Sequence, residues 1–372
     1  MTLKVMTVAG TRPELIRLSL LISRLDNSTQ HFFAYTGQND SPFLSDLFFK
    51  DLRIRQPDTF FNVSTSSFAE TIGETIIRAA EIMDRIQPDA VVVLGDTNSA
   101  MAAIPAERMG IPVFHLEAGN RSFDLNVPEE LNRKLVDHIA TFNIAYTETA
   151  RRNLLSEGLN PRFTFVSGSP MKEILNKFSA DISSSTVLER LELTSGQYIL
   201  ASLHRQENVD FASRLEASLR QLSNVGQSLD VPIIFSTHPR TQKRLDELGW
   251  TDPSSLKFVE PLGYFDYLRL QGESMCVVSD SGSVSEEAAI AGFPAVLMRD
   301  ATERPEALEQ GNIVLSGIGS NSLLDDVCYA VASREETVPP QGYEVENFSK
   351  RVESLILSTA RLSHGWKNLL ID

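Results

Sequence analysis

The sequence predicts an α/β protein with two doubly wound domains, each built on a mostly parallel sheet. Short apolar segments alternate with amphipathic segments along the 372 residues, which is the pattern of repeated strand–helix units. This alternation stops near residues 171–185 and then starts again. A chain of this length is typical of about two domains of roughly 150 residues each. We therefore expect two domains that face each other, with the ligand in the cleft between them.

The expected domain boundary lies after residue 170. The first domain spans residues 1–170 and the second spans residues 171–354. Met171 to Phe178 and the serine-rich Ser183 to Ser185 are interpreted as the linker. A long last helix is predicted from about Glu346 to Ile371, with an interruption near residues 363–365. We expect its final part, residues 355–372, to return and pack on the first domain.

Composition and charge exclude several classes of partner. The chain has 34 Lys and Arg against 49 Asp and Glu, and its formal net charge is -15. Nucleic acids and anionic membranes need a basic surface, so neither is expected to bind. Cys276 and Cys328 lie in apolar runs and give neither a disulfide framework nor a metal spacing. No apolar run approaches the roughly 18 residues of a membrane span. We expect a cytoplasmic protein without a metal.

The first predicted strand, Leu3 to Val8, is followed by a glycine-containing turn and a helix. The turn is Gly10-Thr11-Arg12-Pro13-Glu14, and leucine and isoleucine recur through the helix at helical spacing. Arg12 in the turn and Arg17 in the helix are interpreted as ligands of an anion. The alternative is that both are surface arginines that balance an acidic protein. The position of Arg12 at the carboxyl end of a strand favours the first interpretation.

The same pattern continues through the rest of the first half. Further strands are predicted at His31 to Tyr35, Ala90 to Leu94, Pro112 to His115, Ala140 to Ala145 and Phe163 to Val166, and helices at Phe68 to Ile86 and Thr149 to Gly158. Between them, Arg55 to Ser67 is a polar stretch for which no element is predicted.

Carboxylates follow the strands of the first half, where open α/β sheets bind their ligands. Asp96 and Glu117 come directly after two successive strands, and Glu129 and Glu130 open the next helix. The alternative role of Asp96 is to cap the helix that follows it. One of the two adjacent glutamates has the alternative role of stabilising the helix dipole. Arg133 lies one turn further along this helix.

Basic side chains follow the strands of the second half. His204 and Arg205 come after the predicted strand Tyr198 to Ala201, and His238 comes after Ile233 to Ser236. A single histidine in such a position is more often structural, but two of them beside arginines favour contact with phosphate. The other strands of this half are predicted at Lys257 to Val259, Cys276 to Val278 and Ala295 to Met298.

The turn Ser281-Gly282-Ser283 lies between a predicted strand and a predicted helix. We expect Ser283 to cap this helix in a capping box with Glu286, and Gly292 to end it. The backbone N–H groups of the turn would then bind an anion such as phosphate. Arg304, after the next strand, is expected to add a forked positive charge, and Glu287 to accept hydrogen bonds from sugar hydroxyls. The alternative is a well-capped helix with an ordinary salt bridge.

The candidate residues divide by charge between the two halves. Carboxylates predominate in the first half, and basic or anion-binding groups predominate in the second. This division indicates that the second domain binds a diphosphate and that the first performs acid–base chemistry on the group that the diphosphate carries.

Motifs along nearly the whole chain resemble those of the non-hydrolysing UDP-N-acetylglucosamine 2-epimerases. In order, they are Gly10 to Glu14, Gly95 to Thr97, His115 to Arg121, Pro128 to Arg133, His204 to Asn208, Asp280 to Glu287 and Thr302 to Ala307. The resemblance implies a glycosyltransferase-B-like fold, with two Rossmann-like domains facing across a cleft. Three segments are more similar to the UDP-N-acetyl-L-fucosamine synthase subgroup: Ile16 to Ser19, Gly119 to Asp124 and Ser236 to Arg240. Its members invert C2 of UDP-2-acetamido-2,6-dideoxy-L-talose for surface polysaccharides such as O-antigen and capsule.

The resemblance also implies roles for the candidate residues. The catalytic carboxylates would be Asp96, Glu117 and Glu129, and the catalytic histidine would be His204. Positions that match UDP-binding residues are Arg12, His238, Ser281, Gly282, Glu287 and Arg304, with Tyr267 where the family stacks a ring on uracil. Arg17, Arg133, Arg205 and Ser283 complete the set of candidate substrate-binding residues. The Gln-His pair of the allosterically regulated members is Gln38-Asn39 here, which argues against activation by UDP-N-acetylglucosamine.

The chemistry of C2 restricts the mechanism. Its proton is not acidic, because no carbonyl lies beside it, and neither glycine-containing turn has the G-x-G-x-x-G spacing of a nicotinamide site. The family instead eliminates UDP to form a glycal and adds it back with protonation on the other face. We therefore expect a UDP-sugar substrate, no cofactor and a homodimer. The alternatives are epimerisation of UDP-N-acetylglucosamine, glycosyl transfer and ligand sensing without chemistry, and the assignment of each carboxylate to a face of the sugar stays open.

Overall fold

The computed structural model describes residues 2–37, 48–64, 66–124, 127–237, 239–250, 255–318 and 322–366. They form two compact units. Unit 1 comprises Met1–Asn176 with Gln341–Asp372, and unit 2 comprises Lys177–Pro340. Each unit contains one parallel sheet with helices between its strands. The predicted class of two Rossmann-like α/β domains is confirmed.

Unit 1 is built on a seven-stranded parallel sheet. Its strands are β1 Lys4–Ala9, β2 Gln30–Tyr35, β3 Thr59–Phe60, β4 Ala90–Leu94, β5 Val113–Leu116, β6 Phe142–Ala145 and β7 Thr164–Val166. They lie in the order β3-β2-β1-β4-β5-β6-β7. All five residues of β4 are buried, as expected for a strand of a parallel sheet that is covered on both faces.

Helices connect the strands of unit 1, apart from the segment between β2 and β3, which includes residues outside the described ranges. Its α-helices are α1 Arg12–Ser28, α2 Phe68–Ile86, α3 Ala103–Arg108, α4 Pro128–Ile139, α5 Glu148–Ser156, α6 Met171–Lys177, α16 Phe348–Thr359 and α17 Ser363–Trp366. Short 3₁₀ turns occur at Asn98–Ala102 and Pro161–Phe163. Leucines and isoleucines of α1 form one buried stripe, which is the helical spacing that the sequence showed.

Unit 2 repeats this architecture with six parallel strands. They are β8 Ile199–Ser202, β9 Ile233–Ser236, β10 Leu256–Val259, β11 Cys276–Ser279, β12 Ala295–Met298 and β13 Val314–Ser316, in the order β10-β9-β8-β11-β12-β13. Its helices are α7 Ser179–Ser183, α8 Val187–Arg190, α9 Gln206–Val209, α10 Ala212–Leu229, α11 Pro239–Leu248, α12 Tyr264–Glu273, α13 Gly282–Ala291, α14 Pro305–Glu309 and α15 Leu323–Ala332, with a 3₁₀ turn at Arg334–Glu336.

The strand order places the candidate residues at equivalent points of the two sheets. In unit 1, β1 lies between β2 and β4, and in unit 2, β8 lies between β9 and β11. At such a switch in direction, the loops that leave the carboxyl ends of the two central strands diverge and leave room for a ligand. Candidate residues follow β1 and β4 in unit 1, and β8 and β11 in unit 2.

Several elements differ from the sequence-based prediction. The two-residue strand β3 lies inside the polar stretch Arg55 to Ser67, and neither β13 nor α15 was predicted. The first part of the predicted linker, Met171 to Phe178, is largely helical because it contains α6, and α7 ends at Ser183, where the second part begins. The predicted last helix is two helices, α16 and α17, and residues 367–372 lie outside the described residues.

Unit 1 is completed by the residues after Pro340. The Ser169 N–H donates to the Gly342 carbonyl at 2.8 Å, and Glu173 accepts hydrogen bonds from the backbone and side chain of Ser349 at 2.8 and 2.5 Å. These bonds explain why the units divide after residue 176 and again after residue 340, whereas the expected divisions lay after residues 170 and 354.

Within the described part of the chain, no helix combines the length and the apolar character needed to cross a membrane.

Candidate functional site

Two arginines of α1 lie near the carboxyl end of β1. Arg12 is half-buried, and its guanidinium carbon lies 5.6 Å from the centre of the Phe48 ring. Arg17 is buried, and its Nε lies 3.6 Å from Glu117 Oε2. The contact between Arg17 and Glu117 joins the helix after β1 to the turn after β5. The alternative interpretation, in which Arg17 is a surface arginine, is therefore wrong.

Asp96 follows β4 and forms an ion pair with Arg133. The preceding residue, Gly95, has a φ of +68°, a conformation that favours glycine. The guanidinium of Arg133 is buried and donates to Asp96 through Nη2 and to Glu130 through Nη1, the latter at 2.7 Å. The N-cap of the following 3₁₀ turn is Thr97, so Asp96 does not cap it. A carboxylate predicted after one strand and an arginine predicted on a helix are thus brought together.

Glu117 has an unusual backbone conformation. Its φ is +63°, in the left-handed region, and Gly119 has a φ of +83°. A Cβ at Gly119 would overlap the backbone of Ala150, so this position requires glycine. Asn120 Nδ2 donates to Glu117 Oε1 at 3.3 Å. A non-glycine residue in the left-handed region costs about 1–3 kcal/mol, and such strain is concentrated at functional sites.

The two glutamates at the start of α4 have different surroundings. Glu130 is buried and accepts hydrogen bonds from Ser122 N and Oγ at 3.0 and 3.1 Å, in addition to the bond from Arg133. Burial acts to raise the pKa of Glu130, but the bonds from Ser122 and the charge of Arg133 outweigh it and lower the pKa. Glu129 is exposed. Of the pair, Glu130 therefore has the structural role.

A buried network that was not predicted supports these turns from inside unit 1. His115 Nε2 donates to the Gly95 carbonyl at 2.7 Å, and its Nδ1 lies 2.9 Å from Asp137. Asp137 also accepts hydrogen bonds from Gly119 N at 3.2 Å and from Arg121 Nη1 at 2.7 Å. The network therefore contacts the turn before Asp96 and the turn after Glu117. Gly95, His115, Gly119 and Arg121 lie in recognised motifs, but Asp137 lies in α4 and has no local signal.

In unit 2, Asp280 orients His204. Asp280 is fully buried and accepts hydrogen bonds from the backbone N–H groups of His204 and Arg205 at 3.1 and 3.0 Å and from Asn208 Nδ2 at 2.9 Å. His204 Nδ1 lies 3.0 Å from the carboxylate of Asp280. Burial acts to raise the pKa of Asp280, yet the charge of His204 and these hydrogen bonds lower it to about 2. Asp280 was not among the predicted site residues, although a carboxylate directly after a strand was the available signal.

Glu303 joins three arginines beside the start of α13. It contacts Arg205 Nη2 at 3.1 Å, Arg299 Nη1 at 2.7 Å and Arg304 Nη1 at 2.9 Å. A Cβ at Gly282 would overlap Glu303 Oε1 and would lie 2.5 Å from Arg304 Nη1. Glycine at this position therefore lets Glu303 and Arg304, a predicted phosphate ligand, approach the N-terminus of α13. The role of Glu303 was not predicted.

The predicted capping box is wrong. Helix α13 begins at Gly282 with Ser281 as its N-cap, so Ser283 lies inside the helix. Glu286 is fully buried, and its Oε2 lies 3.5 Å from Arg304 Nε. The ion pair with Arg304 thus draws Glu286 away from the cap. The prediction that Gly292 ends the helix is confirmed, since its N–H bonds to the Ala288 carbonyl and its φ is +73°.

Other predicted ligands lie around the same turn. Ser281 N, one of the N–H groups expected to bind an anion, donates instead to Ser279 Oγ at 3.0 Å. Ser281 Oγ contacts Ser283 Oγ. Glu287 accepts a hydrogen bond from Gln271 at 2.8 Å. The Tyr267 hydroxyl lies 3.0 Å from Ser202 Oγ at the end of β8.

Two predictions fall on residues that the structure does not describe. They are the placement of His238 as a phosphate ligand and the departure at Gln38-Asn39. Among the residues that are described, no group of three or more His, Cys, Asp or Glu side chains is arranged to hold a metal ion.

Comparison with known proteins gives matches along nearly the whole chain. A sequence profile of the family described as UDP-N-acetylglucosamine 2-epimerase matches residues 23–357. The structure of a UDP-N-acetylglucosamine 2-epimerase from Rickettsia bellii is 40% identical, with 98% of each chain covered and a TM-score of 0.90. The predicted glycosyltransferase-B-like fold class is thereby confirmed.

Two further relatives differ in the sugar for which they are named. The UDP-GlcNAc 2-epimerase of Methanocaldococcus jannaschii, solved with UDP-GlcNAc and UDP, is 33% identical over 95% of this chain and 99% of its own, with a TM-score of 0.90. The UDP-2,3-diacetamido-2,3-dideoxy-D-glucuronate 2-epimerase of Pseudomonas aeruginosa is 30% identical over 87% of this chain and 91% of its own length. The likeness therefore indicates a type of reaction without selecting one sugar.

Proposed function

Because this chain belongs to the non-hydrolysing UDP-N-acetylglucosamine 2-epimerase family, we propose that it inverts C2 of UDP-2-acetamido-2,6-dideoxy-L-talose to give UDP-N-acetyl-L-fucosamine. At the coarser level the chain is an isomerase, a UDP-sugar 2-epimerase. The observation that supports the reaction type best is the pair of carboxylates after β4 and β5, Asp96 and Glu117, each beside a buried arginine. The choice of sugar is supported by the three segments that resemble the fucosamine synthase subgroup.

The mechanism that we propose is elimination followed by addition. A carboxylate removes the C2 proton while the bond between C1 and the diphosphate oxygen breaks, so that a glycal and free UDP form. UDP then adds back to C1, and C2 receives a proton on the opposite face. No oxidant takes part, and the proton count is balanced because one proton leaves C2 and another arrives.

Each set of side chains has a part in this reaction. Asp96, Glu117 and the exposed Glu129 supply acid–base groups, and Arg17 and Arg133 fix the direction of the first two carboxylates. In unit 2, arginines and the N-terminus of α13 are suited to neutralise the diphosphate while it is detached from the sugar. Asp280 orients the imidazole of His204 through Nδ1, and we propose that this ring contacts the leaving diphosphate.

Heavy water is expected to label the product at C2. The proton that one face loses cannot be the proton that the other face gains, so turnover in deuterated buffer should place deuterium at C2. The 6-deoxy-L-talo substrate and UDP-N-acetylglucosamine would be incubated in parallel without any acceptor, and the recovered UDP-sugars analysed by NMR. We expect C2 inversion and labelling with the talo substrate.

The outcomes separate the alternatives. Full protium at C2 of an inverted product would end the elimination mechanism, because only a transfer that returns the original hydrogen gives that result. Turnover of UDP-N-acetylglucosamine alone would contradict the choice of sugar and would favour the activity for which the Rickettsia and Methanocaldococcus relatives are named. The absence of any inverted product would contradict the epimerase function itself. A sample without protein controls for spontaneous exchange.

Substitution of Gly282 by alanine is expected to weaken UDP binding about tenfold. The added Cβ would displace the ends of Glu303 and Arg304, and overpacking of this kind costs about 1–3 kcal/mol. The matched control is Gly272→Ala in α12, where an added Cβ meets nothing within 4 Å and alanine favours the helix. Calorimetric titration with UDP measures both variants. Equal affinities would contradict the placement of the diphosphate at this turn.

The proposal extends to the setting of the enzyme. We propose that it is a cytoplasmic homodimer that supplies a precursor for surface polysaccharide. Sedimentation analysis of the purified chain tests the dimer, since a monomer at working concentrations would contradict it.

A further inference from the structure

Glu14 is a buried carboxylic acid that the proposed mechanism does not use. Its residue is 1% exposed, at the first turn of α1. One oxygen, Oε2, accepts hydrogen bonds from Gly10 N at 3.1 Å and from Thr11 Oγ1 at 2.8 Å. The other oxygen, Oε1, accepts a hydrogen bond from Ser99 Oγ. Ser99 is itself fully buried, and its hydroxyl lies 2.6 Å from Thr97 Oγ1.

These contacts join two turns that lie far apart in the sequence. Gly10 and Thr11 belong to the turn after β1, which leads into Arg12. Thr97 follows Gly95 and Asp96 in the turn after β4, and Ser99 lies in the 3₁₀ turn that continues it. Because β1 and β4 are neighbours in the sheet, a single carboxyl group between their ends fixes the distance between the two turns.

We infer that Glu14 is a positioning residue for the reaction, which holds the turn that carries Arg12 against the turn that carries Asp96 through its hydrogen bond with Ser99. The inference rests on the proposed function, in which Asp96 is an acid–base group, and on the family resemblance, which implies that Arg12 is a ligand of UDP. A misplacement of about 1 Å in such a pair is enough to slow a reaction severely.

Capping of α1 explains only half of the contacts. An acidic residue in the first turn of a helix favours the helix dipole, and its bonds to Gly10 and Thr11 serve the cap. A cap can do this at the surface, where the carboxylate stays hydrated. Glu14 is instead buried against Ser99, which lies outside the helix and has no part in capping it.

Burial also changes the ionisation of Glu14. Loss of hydration raises its pKa to about 7, although the hydrogen bonds from Ser99, Thr11, Thr97 and Gly10 oppose the rise. These groups come from the turn after β1 and from the turn after β4, and none of them is charged. At neutral pH the acid therefore changes between a form that only accepts hydrogen bonds and a form that can donate one to Ser99.

The test compares the two ends of the same pair of strands. Asp89 ties the amino ends of β1 and β4 together, since its carboxylate accepts a hydrogen bond from Lys4 N at 2.7 Å. Glu14→Ala and Ser99→Ala remove the link at the carboxyl ends, and Asp89→Asn weakens the link at the amino ends. We expect the first two to lower kcat and UDP affinity about tenfold each, as the loss of one positioning contact would. Asp89→Asn should lower only the thermal stability.

Glu14→Gln serves as the conservative variant. Its amide keeps an oxygen for Gly10 and Thr11 and a donor for Ser99, so most of the turnover should return. If folded Glu14→Ala matches Asp89→Asn in both kcat and UDP affinity, Glu14 only caps its helix and the inference is wrong. If Glu14→Ala does not fold, Ser99→Ala decides in the same way. If the unaltered chain gives no inverted product, the proposed function is wrong. The UDP affinities of the variants, which report on the position of Arg12, then test the inference without kcat.

Stability against pH gives a second readout. A carboxyl whose pKa rises from 4.5 to about 7 on folding contributes stability that is complete below pH 4.5 and is lost as the pH rises through 7. The free energy of unfolding should therefore fall more steeply with pH in the unaltered chain than in Glu14→Gln, as reversible urea unfolding at several pH values would show. Equal slopes would mean that the carboxyl is hydrated and is not the buried link.

Discussion

Replacement of Glu117 by glutamine is expected to lower kcat by roughly 10²–10⁴-fold, the usual contribution of a general base. The amide keeps the shape of the side chain and its contacts with Asn120 and Arg17, but it cannot take a proton from C2. UDP should still bind, because Glu117 is not among the proposed ligands of UDP. Turnover of the UDP-sugar, measured by NMR at saturating substrate, and calorimetry with UDP give the two quantities.

The matched control is Glu353→Gln. Glu353 forms an ion pair with Arg24 at 3.1 Å, and Arg24 lies on the same helix, α1, as Arg17. The control therefore removes the carboxylate that pairs with another arginine of α1, at a place away from the carboxyl ends of the strands. It should leave kcat unchanged. A Glu117→Gln enzyme with more than about a tenth of normal turnover would show that Glu117 does not act as the base.

Replacement of Arg304 by alanine is expected to weaken UDP binding by about 10- to 100-fold. A hydrogen bond between charged groups contributes about 1.5–3 kcal/mol, and each 1.4 kcal/mol corresponds to a factor of ten in affinity. Arg304 is buried beside the N-terminus of α13, where its charge adds to that of the helix dipole. Calorimetric titration with UDP measures the loss.

Removal of Arg304 also affects folding, because it leaves the buried Glu286 and Glu303 with less positive charge around them. Arg304→Lys keeps the charge and loses the forked donor, so it should fold and still bind UDP more weakly. The control is Arg214→Ala, which removes a surface arginine that pairs with Asp300 at 2.8 Å. If Arg304→Lys and Arg304→Ala both fold and both bind UDP with normal affinity, the assignment of Arg304 as a ligand of UDP is wrong.

The elements that the sequence predicted correctly are those with a local cause. A run such as the apolar residues of β4 has to be a buried strand, and Gly292 has to end a helix because it adopts a positive φ. The two-residue strand β3 has no such cause. It exists because Thr59 and Phe60 pair with the edge of β2, and a strand of two residues is too short to show a periodic pattern of its own.

The same distinction applies to the site. The position of Glu117 after a strand is a local signal, and so is that of His204. The burial of Glu14 against Ser99 and the contacts of Glu303 with three arginines depend on which segments the fold brings together. At Glu286 a local signal and a tertiary contact compete. Its spacing from Ser283 is that of a capping box, but its side chain pairs with Arg304, which comes close only when the unit folds.

The divided make-up of unit 1 has a consequence for synthesis on the ribosome. Unit 2 is one continuous segment, so all of its strands are available before the chain is finished. Unit 1 must wait for its last residues, because α16 packs on α1 and Ser349 closes hydrogen bonds to Arg24 and Glu173. Until α16 emerges, α1 lacks the helix that packs against it. A nascent chain that has emerged from the ribosome as far as residue 340 would hold a finished unit 2 and an unfinished unit 1, and an unfinished unit is a natural substrate for a chaperone.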